Sequence, residues 1–327
     1  MDEIQGVEEM VERKAPPIRV GIIDCGTNTF NLLVAEVTED NVWSVLFENK
    51  IPVKLGAGGF EKKTIVPSRF IRGLDALHCH ANNMRNFEVS KAFAFATSAV
   101  REAENGNDFV KVAKEQTGIS IDVIDGQKEA ELIWKGIRQT IDLGDSPALI
   151  MDIGGGSTEF IIANNSTIFW KKSYLLGVSR LHEKINPSDR INHDEVGRLR
   201  KILEREFVDL KAALAEHPCQ WIVGSSGSFD TLTAMYQYNS KQLNTAHFEL
   251  CNEIPMDAFP SIHQWLMGST YAERLKHKAI PSVRAEYMPL ASYMVKYVLE
   301  LQSFNKMYHS AYALKEGAIA EVVVGGR

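Results

Sequence analysis

Apolar residues fall along the chain in two textures: short runs of strand length that stop at glycine and hydroxyl-rich turns, and longer stretches with helical spacing. The first run, residues 18–24, ends in Cys25-Gly26-Thr27-Asn28-Thr29, and a second, residues 32–37, follows at once. Two strands joined by a tight turn account for this pattern. It returns at residues 148–163, where Ala148-Leu149-Ile150-Met151-Asp152 leads into Ile153-Gly154-Gly155-Gly156-Ser157-Thr158-Glu159 and then Phe160-Ile161-Ile162. Laying Asp24 on Asp152 without a gap puts Gly26 on Gly154, Thr29 on Ser157 and Leu32-Leu33-Val34-Ala35 on Phe160-Ile161-Ile162-Ala163. The same offset lays Phe93-Ala94-Phe95-Ala96-Thr97-Ser98 on Trp221-Ile222-Val223-Gly224-Ser225-Ser226, each an alternating strand that stops at hydroxyl residues before a helical segment. Two matches at one offset predict a duplicated α/β lobe with a cleft between the copies, because solenoid periods are shorter.

The helical texture predicts helices over residues 67–86, 107–116 with Asn107 as cap, 130–141, and a single long amphipathic helix over 193–216 whose buried stripe is Leu199, Ile202, Leu203, Phe207 and Leu210. Residues 119–124 read as a strand. From Met256 onward the pattern is helical, interrupted by Pro260, Pro281 and Pro289. The apolar residues Tyr287, Leu290, Tyr293, Val295, Val298 and Leu299 there fit either a homodimer face or a monomer core. No linker rich in Pro, Gly or Ser separates the lobes, which are therefore expected to be closely joined.

Composition narrows the function. A net charge of −6 argues against a nonspecific grip on nucleic acid, so an anionic ligand needs a focused site. Four scattered cysteines without a CxxC pair exclude a zinc ribbon or secreted disulfide framework, and a reducing, cytoplasmic setting is expected. The chain shows no leader and no apolar run long enough to span a membrane, and its acidic first 14 residues read as a frayed or helical appendage.

Gly154-Gly155-Gly156-Ser157 is either a plain hairpin turn or a cradle in which backbone N–H groups converge on an anion; two such turns facing each other would grip a phosphate chain, with Thr29 and Ser157 adding hydroxyls. Asp152 and Glu159 flank the turn, and a carboxylate beside phosphate makes sense when magnesium neutralises both, although Glu159 could also face solvent. For Asp24, capping the following turn and binding metal stand as alternatives. Glu129 sits after a strand-to-helix turn, where it is either the base that orients water or an acid favoured by the helix dipole. Arg101 could hold phosphate at a helix start or form a surface ion pair. Gly224-Ser225-Ser226-Gly227-Ser228 opens a helix, as a phosphate or nucleotide site or as small residues packed against the other lobe. The cluster Arg274, Lys276, His277, Lys278 and Arg284 either steers a polyanion or is a solvated face. GxxxxGK[ST] and GxSxG are absent, and His78-Cys79-His80 points in several directions on a predicted helix.

Taken together, Asp24-Cys25-Gly26-Thr27-Asn28-Thr29, Ala96-Thr97-Ser98-Ala99-Val100-Arg101-Glu102-Ala103, Ile124-Asp125-Gly126-Gln127-Lys128-Glu129-Ala130 and Asp152-Ile153-Gly154-Gly155-Gly156-Ser157-Thr158-Glu159 resemble the exopolyphosphatase and guanosine pentaphosphate phosphohydrolase (Ppx/GppA) family. The likeness continues through Leu176-Gly177-Val178-Ser179-Arg180-Leu181 and Leu314-Lys315-Glu316-Gly317. It implies an α/β, duplicated actin-like (ribonuclease H-like) two-lobed fold with an interlobe cleft. Residues 1–130 and 305–327 would form the first lobe, with the final helix folding back, and 131–304 the second. It further implies Glu129 as the base, Asp152 and Glu159 as catalytic carboxylates and ligands of Mg2+, and Thr27, Asn28, Thr29, Arg101, Gly154, Gly155, Gly156 and Ser157 as phosphate binders. The substrate would be polyphosphate or guanosine pentaphosphate. Three departures from the family pattern stand out: Thr27 and Thr29 replace common serines, Gly224 to Ser228 is richer in serine than is usual, and the extra C-terminal helical domains of longer members are not seen, which points to short chains as substrate. A noncatalytic sensor and an actin-like kinase or ATPase are the competing classes, and retention of Glu129, Asp152 and Glu159 together favours hydrolysis.

Overall fold

The computed structural model describes residues 17–240 and 249–325; the acidic segment 1–14 lies outside them. In chain order the elements of the first half are β1 (Ile18–Cys25), β2 (Thr29–Val37), β3 (Trp43–Pro52), α1 (Pro67–Asn86), β4 (Lys91–Ala96), α2 (Ser98–Arg101), α3 (Gly106–Thr117), β5 (Ile121–Val123) and α4 (Gly126–Ile137). The second half continues with β6 (Ala148–Ile153), β7 (Thr158–Ala163), β8 (Ile168–Tyr174), α5 (Val178–Ile185), α6 (His193–Glu206), α7 (Val208–Glu216), β9 (Trp221–Ser225) and α8 (Ser226–Asn239). It closes with β10 (Cys251–Ile254), α9 (Phe259–Gly268), α10 (Tyr271–Lys276), α11 (Met288–Leu301), β11 (Lys306–Ser310) and α12 (Leu314–Gly325).

The first sheet runs β3-β2-β1-β4-β5. Read from its β8 end, the second runs β8-β7-β6-β9-β11, the same order, with β10 added antiparallel at the edge. The hairpins also share a register: Asp24 lies opposite Asn31 as Asp152 lies opposite Glu159. This is the duplicated actin-like fold. Neutral Asn31 stands in the first copy where the acid Glu159 stands in the second.

Three apolar clusters hold the layers. One packs α1 and α3 on the outer face of the first sheet through Leu74, Leu77 and Phe109; a second fills the outer side of the second sheet around Phe160, Phe207 and Met294. The third lies between the sheets, where α4 packs against β7 and β8 while α12 packs against β1. The helix that carries Glu129 is therefore clamped between a sheet and the last helix of the chain. At the α4–α12 crossing the backbones touch: a Cβ on Gly317 would lie 1.7 Å from the Leu132 carbonyl oxygen, and one on Gly136 2.0 Å from that of Ala313.

Several expected elements differ. The 193–216 helix breaks at Phe207, which turns inward to stack edge-on against Phe160 and Tyr174, leaving α6 and α7. Asn105, not Asn107, precedes α3, and its side chain binds the backbone N–H and carbonyl of Ile65 instead of capping. The last third is not wholly helical, because β11 completes the second sheet between β9 and β10. Residues 306–310 are thus second-lobe strand, and within 305–327 it is α12 that reaches β1. Tyr287, Leu290, Tyr293, Val295 and Val298 are all buried within one chain, so they supply no dimer face. Among the described residues no helix is long and apolar enough to cross a membrane.

The glycine crossing makes a stability prediction. Gly317→Ala should destabilise by about 2 kcal/mol or more, since the conflict is with backbone that cannot step aside. Gly197→Ala, in α6 with open space around it, should stabilise by about 0.5–1 kcal/mol. Urea unfolding of the two variants checks both signs.

Candidate active site

The two strand-to-strand turns meet across the lobes. A Cβ on Gly155 would lie 2.7 Å from Asn28 Nδ2, and one on Gly156 2.6 Å from Ser98 Oγ and 2.7 Å from Thr27 Oγ1. Only glycine leaves room for this approach. Each turn is held by its carbonyls from behind. In the first, Thr27 O accepts from Leu55 N–H at 2.7 Å, and Asn28 O accepts from Val53 and Lys54 N–H, each at 2.9 Å. In the second, Gly154 O accepts from Val178 N–H at 3.0 Å, and Gly155 O accepts from Ser179 at 2.9 Å and Arg180 at 3.2 Å, all from the opening of α5. Because the N–H across a trans peptide points away from its carbonyl, anchoring the carbonyls aims the N–H groups of the next residues to the other side. No acceptor for the N–H of Gly155, Gly156 or Ser157 is found among the described residues.

That other side is an open cleft of about 370 Å³, lined by both turns together with Asp24, Glu129 and Asp152. Thr27, Asn28, Thr29, Gly154, Gly155, Gly156 and Ser157 all reach it. Asn28 is buried, with Oδ1 accepting from Ser179 Oγ at 2.8 Å and Nδ2 without a partner among the described residues. Glu159 and Arg101 stand just behind the wall. Arg101 Nη1 donates at 3.0 Å to both Glu129 Oε2 and the Ile124 carbonyl, so it orients Glu129 and is no surface ion pair. Glu129 sits in the first turn of α4 after the Asp125 cap, in a good dipole position, yet is buried and turned into the cleft.

Four acids share this space. Burial, then the charges of Glu159 and Asp152, hold Glu129 well above the usual carboxylate range against the pull of Arg101. Glu159 is raised by burial and by Asp152, opposed by the Ser173 hydroxyl at 2.6 Å and by Ser157. Burial also raises Asp152 although Ser225 and Ser226 each donate to its Oδ2 at 2.6 Å. Asp24 goes up to about 6 through burial, with Asn31 Nδ2 at 2.9 Å opposing. The partner that Asp24 shows among the described side chains is thus the cross-strand Asn31. The set is short of positive charge. Among the described residues no three His, Cys, Asp or Glu stand together as a ready metal cage; a cation here would need ligands beyond the protein.

Several residues at or beside the cleft have partners that the sequence reading did not assign. Ser225 and Ser226 orient Asp152, and Ser226 does so from a left-handed backbone, φ 65°. The basic cluster divides: Arg274 is buried on the Ser269 and Ala285 carbonyls, Lys276 and Lys278 are solvated, and Arg284 lines the cleft against Gly227, facing Asp230 and Asp152. Lys315 lines it too, paired with Glu48 and Glu316. Against the desolvation of its partly exposed carboxylate, Asp230 is held down to about 2 by His309 Nε2, 2.9 Å away, and by the charges of Lys50 and Arg284.

The model of the Ppx/GppA phosphatase family matches residues 33–324. The chain belongs to that family. Its Ppx/GppA relatives include a putative exopolyphosphatase of Haemophilus influenzae, 26% identical, with 92% of this chain and 90% of that protein aligned. Exopolyphosphatase 2 of Mycobacterium tuberculosis is 29% identical, over 78% of this chain and 82% of its own. Among solved structures, an exopolyphosphatase from Cytophaga hutchinsonii superposes with a TM-score of 0.91 at 33% identity, covering 94% of this chain and 98% of that one. The Aquifex aeolicus Ppx/GppA member superposes at 0.78 with 22% identity over 95% and 99%, which shows the shared fold.

The buried acids of this Ppx/GppA site carry a pH signature. A carboxyl raised on folding, as Asp24 is from 3.8 to about 6, contributes stability that is whole below pH 3.8 and lost as pH rises through 6. Ligand-free protein should therefore lose melting temperature as pH rises from about 4 to about 6, with Glu159, raised to about 7, extending the loss to about pH 7. Asp24→Asn keeps an acceptor for Asn31 and should raise the melting temperature at pH 8 while changing little at pH 4; equal shifts at both would contradict the assignment.

Proposed function

We propose that the protein is an exopolyphosphatase, releasing the terminal phosphate of inorganic polyphosphate by attack of water on the end phosphoanhydride. The observation that carries this reading is the pair of turns from opposite lobes, both anchored by their carbonyls and both facing one cleft, with a buried acid beside them. Such a cleft is built for a chain of phosphates, gripped from two sides by backbone N–H groups. The names borne by the relatives support the same substrate class.

In this reading the N–H groups of Gly155, Gly156 and Ser157, with the Ser157 hydroxyl, hold the terminal phosphoryl group, and Gly154 gives the turn its tightness. Asn28 Nδ2, Thr27 and Thr29 hold the same chain from the first lobe. Glu129 orients the attacking water and accepts its proton, kept in place by Arg101, whose charge also favours the anionic transition state. The acid cluster explains how Glu129 can act as a base. While Glu159 is charged, a proton on Glu129 is favoured; neutralising Glu159 and Asp152 frees it.

Asp152 and Glu159, cross-strand neighbours with raised proton affinity, would hold a magnesium ion from the protein side, leaving room for oxygen ligands from substrate and solvent. Bound there, magnesium would supply the positive charge that the acids and the phosphates both lack. Arg284 and Lys315 then face the chain further along the cleft.

Phosphate release from short polyphosphate, long polyphosphate and guanosine pentaphosphate, measured in parallel with magnesium, tests the reading. Wild type should turn over polyphosphate, and Glu129→Ala should lose about 100-fold or more in kcat. Preferential turnover of guanosine pentaphosphate would move the substrate within the family. Binding without turnover by either protein would make it a sensor. Removing divalent cations with a chelator should abolish release, and added magnesium should restore it; activity that survives chelation would sink the metal assignment.

A further inference from the structure

The three glycines that form the second turn have three carbonyls, and all three are claimed from behind by the same helix. Those of Gly154 and Gly155 are held by backbone N–H groups of α5, as any helix opening could do. The carbonyl of Gly156 is different. It accepts from a side chain, Arg180 Nε, at 2.9 Å. That guanidinium also donates from Nη2 to Ser98 Oγ of the first lobe at 3.3 Å and lies over the Phe60 ring, 4.6 Å from its centroid.

Arg180 does not line the phosphate cleft. It lines a separate small depression with Phe60, Ser98 and Glu102, on the far side of the turn. By the geometry of the trans peptide, a donor that fixes the Gly156 carbonyl from that side turns the Ser157 N–H toward the cleft. A charged donor on the carbonyl also polarises the peptide, strengthening the N–H at its other end. Because the second arm of the guanidinium ends on Ser98, which presses on Gly156 and opens the short helix leading to Arg101, the aim of the turn is tied to the seating of the first lobe.

We infer that Arg180 is a positioning residue for phosphate binding: through Gly156 it sets the direction of the Ser157 N–H, and through Ser98 it lets that direction hold only when the two lobes are closed on each other. The inference deepens the phosphate-chain reading of the cleft and rests on it. Arg180 touches no substrate and takes no part in proton transfer. Its neighbour Glu183, one turn along α5, provides the contrast, since its Oε2 also reaches the first lobe, accepting from Gly58 N–H at 2.8 Å, without touching the turn.

The test compares Arg180→Met, which keeps an apolar stem over Phe60, with Glu183→Gln, which weakens a lobe-to-lobe bond and leaves the hydrogen bonds of the turn in place. Inorganic phosphate binding is measured by calorimetry with magnesium, and polyphosphate turnover by phosphate release. Arg180→Met should weaken phosphate binding and lower kcat/KM, each by about 10- to 100-fold, the scale expected when a binding group is misaimed and not removed. Added guanidinium ion should return part of the loss. Glu183→Gln should stay within about twofold on both readouts. Equal losses in the two variants would reduce Arg180 to a general clasp and overturn the inference, as would an Arg180→Met protein with unchanged phosphate affinity. Should Arg180→Met fail to fold, Arg180→Lys carries the comparison, because an ammonium cannot serve the Gly156 carbonyl and Ser98 in one planar fork. Wild type that binds phosphate but hydrolyses no polyphosphate sinks the exopolyphosphatase reading while calorimetry still decides on Arg180; wild type that does neither overturns both.

Discussion

Everything in this molecule is arranged around the close approach of the second turn's backbone to side chains of the first lobe. Gly155 and Gly156 come within a side chain's reach of Asn28, Thr27 and Ser98, and no Cβ fits between. To hold two loops so near, each must be anchored on the side away from the contact, and the carbonyl bonds to residues 53–55 and to α5 do that work. The duplicated hairpin supplies the two loops, the equal strand order points them at each other, and the central pair α4 and α12 fixes the separation of the sheets.

A second consequence of the approach is the acid cluster. Bringing the hairpin ends together also brings Asp24, Asp152, Glu159 and Glu129 into one poorly hydrated space, where each disfavours the ionisation of another. The duplication softens this in one half only: Asn31 replaces an acid opposite Asp24, while Glu159 remains opposite Asp152. The two hairpins therefore differ at one register position, the second pairing two acids where the first pairs an acid with an amide. Mutually repelling acids of this kind are costly to keep charged together, and proton affinities raised in a cleft are a common mark of a functional site.

The sequence was most informative where chain direction changes sharply. Glycine turns after short apolar runs mark β1–β2 and β6–β7, and their common offset discloses the duplication. It was least informative where a residue's role depends on distant partners. Nothing local distinguishes Arg274, sunk onto two carbonyls, from Arg284, ten residues on and open to the cleft. The 306–310 strand was hidden because a five-residue run after a long helix carries little periodicity, and its identity comes from a partner some eighty residues earlier. Phe207 belonged to the apolar stripe as read, but only the rings of Phe160 and Tyr174 explain why the helix breaks there. The hydroxyls on Asp152 lie in a segment whose composition suggested two other roles, and their bonds to a carboxylate on the neighbouring strand of the same sheet come only from the fold.

The glycine-to-glycine crossing of α4 and α12 bears on how the enzyme is made. Lys128 and Lys135 of α4 both pair with Glu321, and Gly136 and Gly317 let the helices touch, so the helix bearing Glu129 has its full set of neighbours only when α12 is present. Yet α12 is translated after every other described element. A nascent chain can therefore build both sheets and both glycine turns while Glu129 still lacks the support of α12, so this wall of the cleft is completed only when that helix docks.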